Sequence, residues 1–158
     1  MHILAGGNSS PGQNERATPD QWLKLADDYW RAAAERPTKA PIPLLFGIDA
    51  VHGHSNLVGA TIFPHNVGLG ATHNPALIEK IGEATAAEMA AAGVDWTFAP
   101  TVAVARDKRW GRAYEGYSEN PADVAAYAGK MVEGLQGVDG GRNGIKPGHI
   151  MSTAKHFL

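Results

Sequence analysis

The chain has 158 residues, 44% of them hydrophobic and 19% charged, the profile of one ordinary soluble domain. A formal net charge of -2 carries no electrostatic footprint for nucleic acid or a membrane surface, and no apolar run approaches the roughly 20 residues of a membrane helix. The absence of cysteine excludes disulfides, zinc-thiolate sites and thiol catalysis and leaves the redox compartment open.

Met1 to Gly7 lacks the basic start and long apolar centre of a secretory signal peptide. Within it, His2 to Ala5 is a short apolar run broken by Gly6-Gly7-Asn8-Ser9-Ser10-Pro11-Gly12, so it reads as a strand opening into a long loop. Thr18-Pro19-Asp20-Gln21 supplies a helix start, with Thr18 as N-cap, Pro19 at the first helical position and Gln21 placed for a capping box. Trp22, Leu25, Ala26, Tyr29 and Ala33 follow at helical spacing and are expected to face a core, and Pro37, Pro41 and Pro43 end the helix.

Pro43 to Ile48 is a continuous apolar run closing on Asp49, the pattern of a strand buried on both faces with a polar residue at its C-terminal end. Residues 50 to 74 read as a Gly- and His-rich loop, and an irregular insertion of that length in a compact domain points to function. Asn74-Pro75 opens a second helix carrying Leu77, Ile78, Ile81, Thr85, Met89 and Ala92 on one side and stopping at Gly93. Val94 to Ala99 reads as the next strand. Asn120-Pro121 starts a third helix with Val124, Tyr127, Met131 and Leu135 at helical spacing, ending between Gly134 and Gly144. Ile150 to Leu158 reads as a last strand.

Between the third strand and third helix, Arg106 to Asn120 packs three arginines, one lysine, three carboxylates and three aromatics into fifteen residues. Flat apolar faces beside directed hydrogen-bonding groups suit a polar ligand with weakly apolar faces, such as a sugar. Composition alone fits a solvated loop with surface ion pairs equally well. The alternation of strands and helices implies parallel strands joined by right-handed crossovers, which leaves an open doubly wound sheet or a (β/α)8 barrel. No Gly-rich phosphate loop follows any strand, which weakens the nucleotide-binding version. In both architectures the strand C-terminal ends converge on one face, where Asp49, the Arg106–Asn120 loop and Lys155-His156 all stand.

Four stretches carry a resemblance to the N-terminal domain of glycoside hydrolase family 3, the β-glucosidases and exo-acting β-glucanases. They are Gly47-Ile48-Asp49-Ala50-Val51-His52-Gly53-His54, Phe98-Ala99-Pro100, Arg106 to Glu115, and Ala154-Lys155-His156-Phe157, in the family's order and spacing. Lys108 stands where the family usually has Pro, and Gly116 where it often has Ser. The resemblance implies a (β/α)8 TIM-like barrel, of which residues 1–158 would form the N-terminal half, about four of eight strands, with no second domain in this chain. It implies a retaining two-carboxylate hydrolysis of terminal non-reducing β-D-glucosyl residues, whose aspartate nucleophile and glutamate acid/base match nothing here. The isolated chain is therefore expected to be inactive, without cofactor or metal, and to take a β-linked gluco-oligosaccharide or β-glucoside as its partner in the parent enzyme. By the same resemblance Asp49, Arg112, Lys155 and His156 contact the sugar. Arg106, Arg109 and Glu115 would stand behind them to fix Arg112 and Lys155, and His52 with His54 would shape the loop beneath the sugar. A periplasmic or secreted parent fits the resemblance, and the residues themselves name no compartment.

Two other readings stand beside it. His52-Gly53-His54 after a strand, with Lys155 on a later one, resembles barrel metallohydrolases in which a His-x-His pair binds zinc and a lysine bridges two metals, His65 and His73 being further candidates. The other is a non-catalytic fragment that self-associates, because a half barrel leaves strand edges unpaired and an apolar interior uncovered.

Overall fold

A computed structural model describes residues 2–5, 10–37, 43–137 and 144–156. Strand β1 (His2–Ala5), helix α1 (Pro19–Ala34), strand β2 (Leu44–Ile48), helices α2 (Asn66–Gly70) and α3 (Pro75–Ala91), strand β3 (Trp96–Thr97) and helix α4 (Pro121–Gln136) follow in that order, with 3-10 turns at Pro11–Gln13 and Ala113–Glu115. The sheet is parallel in the order β1-β2-β3, with Leu4 opposite Phe46, and Gly47 opposite Trp96. The chain is thus a mixed α/β domain in which successive strands lie side by side.

The strands are shorter than the apolar runs suggest. Of the expected Val94–Ala99 strand only Trp96–Thr97 is regular, although Asp95 N–H and Phe98 N–H still donate to Phe46 and Ile48 carbonyls at 3.0 Å. The expected strand from Ile150 to Leu158 does not form as a continuous element among its described residues. It meets its neighbour only at parallel bridges, Trp96 with Met151 and Thr101 with Lys155. The carbonyls of Asp95, Ala99 and Pro100 nevertheless accept from the N–H groups of Met151, Thr153 and Lys155. The cause is local, since Pro100 has no N–H to donate and the polar run Ser152-Thr153 offers little apolar face to bury. The last two residues of that stretch lie outside the described residues.

Helix boundaries follow their capping chemistry. Thr18 and Gln21 form the reciprocal capping box: Gln21 N–H donates to Thr18 Oγ1 and Thr18 N–H donates to Gln21 Oε1. Asn74 accepts from Leu77 N–H to start α3, Asn120 accepts from Ala122 N–H to start α4, and Gly137 closes α4 in the left-handed region at φ 65°. Residues 50–74 are less irregular than expected, because α2 forms inside them.

The core joins Trp22 of α1, Phe46 and Ile48 of β2, Ile78 and Met89 of α3 and Leu135 of α4, with Ile150 beside them. Val124, Tyr127 and Met131 are buried as expected. Tyr29 and Leu77 are instead exposed, and β2 is fully buried only over Phe46–Ile48, its first two residues being half-covered. Helices α3 and α4 approach closely because both present glycine where they meet. A Cβ on Gly134 would stand 2.1 Å from the Glu79 carbonyl oxygen, and one on Gly82 2.9 Å from that of Met131.

His54, expected with His52 to shape the loop beneath a bound sugar, is wholly buried in the core, its ring edge-on to Trp22 at 5.0 Å. Neither ring nitrogen has a hydrogen-bond partner among the described residues. Burial pushes its pKa down to about 4, against a small opposing pull from the Glu88 charge. The folded chain therefore holds His54 neutral at pH values where the unfolded chain protonates it. Stability should be fully present above about pH 6.5, fall as the pH drops toward 4, and level off below, a loss on the order of 2–3 kcal/mol. Urea unfolding at pH 7 and pH 4.5 checks this. The His54→Leu variant should lose most of that pH dependence, and an unchanged slope would assign the acid sensitivity elsewhere.

Candidate functional site

The C-terminal ends of the strands carry a cavity of about 280 Å³ lined by Asp49, Val51, His52, Ser55, His65, Arg112, Tyr114, Glu115 and Lys155. Asp49 enters it as the residue after β2, and Lys155 as the bridge partner of Thr101. Lys155 Nζ donates to Asp49 Oδ1 at 2.6 Å across 106 residues of sequence, with the lysine side chain largely covered. The stem of the lysine packs while its charge stays matched.

Arg112 and Glu115 meet for a local reason. The 3-10 turn Ala113–Glu115 eclipses residues three apart, so the guanidinium lies along the carboxylate and donates twice, Nε to Oε1 at 2.5 Å and Nη2 to Oε2 at 2.8 Å. These paired hydrogen bonds hold the Glu115 carboxyl below its usual range, against its burial, with help from the nearby Arg112 and Lys155 charges. Arg112 Nη2 also reaches His156 Nε2 at 3.3 Å. A guanidinium only donates, so the imidazole accepts there and is neutral. Burial first, then the Arg112 and Lys155 charges, lower the His156 pKa and keep it so, with Glu115 and Asp49 opposing.

The wall opposite is the segment after β2. Gly53 sits at φ +83° with the Thr61 carbonyl oxygen 2.1 Å from where a Cβ would be, so the fold-back closes only on glycine. Phe63 N–H donates to the His52 carbonyl at 2.9 Å, and the Glu88 carboxylate of α3 accepts from both N–H and Oγ1 of Thr61. The buried Asn66 amide donates to the Glu115 carbonyl at 2.9 Å, which ties α2 to the 3-10 turn. This brings His65 Nδ1 to 2.8 Å from His52 Nε2, with the His65 ring edge-on to Tyr114 at 4.7 Å.

The structure thus brings Asp49, Arg112, Lys155 and His156 together at one end of the sheet, with Glu115 bound to Arg112 and His52 on the cavity wall. Two expectations fail. Arg109 does not brace Arg112 or Lys155 but turns outward to Asp107, Nη2 to Oδ2 at 2.6 Å, on a 91% exposed side chain. Arg106 is likewise exposed and makes no side-chain hydrogen bond to either residue among the described residues, its backbone N–H donating to Val104. The loop carries more charge than its two ends can direct inward, and what is left pairs in water. Tyr114, Ser55 and Val51 line the cavity without having been singled out; for Tyr114 the density of aromatics in the loop is the available signal. The His-x-His metal reading loses its geometry, because His54 points into the core while His52 lines the cavity. Among the described residues no three His, Asp or Glu side chains converge as metal ligands.

A parallel α/β layer with a polar cavity at its strand ends is the arrangement of an enzyme domain's ligand site. Residues 6–158 match the Glycosyl hydrolase family 3 N terminal domain, and the chain belongs to that family. It is 35% identical over 139 residues to the lysosomal beta glucosidase of Dictyostelium discoideum, covering 87% of this chain and 17% of that protein. With the beta-xylosidase of Formosa agariphila it shares 38% identity over 136 residues, 79% of this chain and 18% of the relative. Among solved structures it is similar to the exo-1,3/1,4-beta-glucanase of a Pseudoalteromonas species, with 52% identity and a TM-score of 0.91, covering 98% of this chain and 19% of that one. The chain therefore spans less than a fifth of the length of these relatives.

The Arg112–Glu115 pair yields a prediction about acid behaviour. A carboxyl whose folded pKa is depressed contributes stability above its unfolded pKa, near 4.3, and loses it as the pH falls through the folded value. Glu115→Gln should cost on the order of 1 kcal/mol at pH 7, discounted because half of the Arg112 side chain is in water. Parallel denaturation of both proteins at pH 3 should show the gap closing; a constant gap would deny the pair its role.

Proposed function

We propose that the protein to which these residues belong hydrolyses terminal non-reducing β-D-glucosyl residues with retention of configuration, and that this chain supplies the sugar-holding half of the subsite. The observation that carries the reading is one cavity uniting a strand-end carboxylate, a covered lysine and a carboxylate-braced arginine. A pyranose presents adjacent hydroxyls, each both donor and acceptor. Asp49 accepts from one pair, while Arg112 and Lys155 serve the neighbouring oxygens and His156, proposed from sequence as a fourth contact, stands behind Arg112 with its Nε2 against the guanidinium. The charged partners make these bonds stronger than neutral ones.

A retaining pair of carboxylates stands roughly 5–5.5 Å apart with one group free to attack the anomeric carbon. Asp49 and Glu115 are each committed to a cation, so both hold rather than react. On this reading the nucleophile and the acid/base come from outside residues 1–158, and these residues form about four strands of a (β/α)8 barrel, supported by the sequential parallel order of β1, β2 and β3 and by the length of the relatives. The chain alone then turns nothing over and self-associates through its uncovered apolar surface, where Ile62 is 70% exposed. Glucose, rather than xylose, as the terminal sugar rests on the glucanase and glucosidase relatives, and a xylosidase relative stands close to them.

In the full-length protein Asp49→Ala should lower kcat/KM on p-nitrophenyl β-D-glucoside by about 3 kcal/mol, roughly 100-fold, since hydrogen bonds to charged groups are worth about 1.5–3 kcal/mol each and strengthen toward the transition state. A rate within about threefold of the unaltered protein would remove Asp49 from the site. Faster turnover of the β-xyloside than of the β-glucoside would move the substrate to pentosides.

A further inference from the structure

Resting on the reading of this cavity as a sugar subsite, we propose that His65 is a further ligand-contacting residue, donating a hydrogen bond to a sugar oxygen from a neutral Nε2–H whose tautomer is set by His52. The argument begins with two facing nitrogens. His52 Nε2 and His65 Nδ1 lie 2.8 Å apart, so one carries the shared hydrogen and the other accepts it. His52 Nδ1 decides which, because it is buried and without a partner among the described residues.

Were His52 to accept at Nε2, its neutral ring would carry its proton on Nδ1 and bury an unpaired N–H. An orphaned buried donor is the costlier error, and a bare acceptor lone pair in the same place is tolerated more readily. At His156 the Arg112 guanidinium, which cannot accept, forces the hydrogen onto a buried Nδ1, whereas His52 faces an imidazole able to take either role, so the preference decides there. His52 therefore donates from Nε2–H to His65 Nδ1. A neutral His65 that accepts at Nδ1 must hold its own hydrogen on Nε2. Burial of His52, reinforced by the Lys155 charge and opposed by Glu115, lowers its pKa and keeps that ring neutral.

The second half of the argument is placement. His65 lines the same cavity as Asp49, Arg112 and Lys155, and its ring is wedged edge-on between His52 at 4.3 Å and Tyr114 at 4.7 Å. Its Nε2 has no protein partner among the described residues, while Arg112 and Lys155 each give part of their donor set to a carboxylate. His65 thus offers what the charged groups do not: an uncommitted, uncharged, orientationally fixed donor. Its position is set by the Gly53 fold-back and the Glu88–Thr61 clamp, neither of which touches the cavity's charges.

Two experiments test this. Long-range proton–nitrogen correlation on the full-length protein with labelled histidine, at about pH 7.5, should show both His52 and His65 as Nε2–H tautomers. A Nδ1–H His65 in a protein that still hydrolyses p-nitrophenyl β-D-glucoside would overturn this inference alone. In the same assay His65→Phe should raise KM about 3- to 10-fold, the worth of one neutral hydrogen bond. His65→Gln should remain within about threefold, because its amide can accept from His52 and still donate. Equal damage by both variants, or a His65→Phe KM within about twofold of the unaltered protein, would overturn the contact. Absence of hydrolysis by the unaltered protein would overturn the glycosidase reading and this sugar role together.

Discussion

The contact on which the site depends is Lys155 with Asp49, and it is a product of register more than of charge. Two groups 106 residues apart meet at 2.6 Å because parallel strands bring their C-terminal ends to one level. Hydrogen bonds from residues 95–100 to 151–155 fix how far the last segment advances, and the Thr101–Lys155 bridge sets the lysine opposite β3's continuation. Slip that segment by one residue and the side chain would turn to the other face. As a partly exposed pair it contributes little stability. Its importance is that it holds a carboxylate and a cation at fixed positions before a ligand arrives.

The same constraint governs the rest of the cavity. Arg112 and Glu115 are brought into line by one turn of 3-10 helix, His156 is held as an acceptor by the arginine, and His52 and His65 share one hydrogen. Each of these groups has one orientation left to it, the condition under which hydrogen bonds to a ligand cost little reorganisation. The scaffold behind them is the α3–α4 pair and the core beneath β2, where close helix approach at Gly82 and Gly134 leaves small tolerance for movement. Tyr127 extends the coupling: its hydroxyl donates to the Gly70 carbonyl at 2.9 Å while its ring stacks on Tyr117, so α4, α2 and the charged loop are tied together.

Much of this was legible beforehand where the governing interaction is local. The caps at Thr18, Asn74 and Asn120, the buried stripes of α3 and α4, and the strand ending at Asp49 rest on neighbours within a few residues. The family was legible too, because its motifs are contiguous. What misled were the bracing roles carried over from the resemblance and the arguments from apolar runs. The resemblance implied that Arg106 and Arg109 stand behind Arg112 and Lys155, yet Arg109 pairs with Asp107 in water; an apolar run at 150 suggested a full strand, yet only bridges form. A helical stripe placed Tyr29 inside, although α1 has too little partner surface there to cover it.

By itself the sequence determined the order of the first three strands and the three long helices, the starts of those helices, the membership of glycoside hydrolase family 3 and which residue types stand at strand ends, since all of these follow from short-range periodicity, capping chemistry and contiguous motifs. Only the tertiary structure decided that His54 goes into the core while His52, two residues away, faces the cavity, that His52 meets His65, and that Arg112 rather than Arg109 turns inward. Those outcomes depend on which surfaces segments far apart in the chain leave uncovered, and a side chain's direction is chosen by the space and partners it meets there.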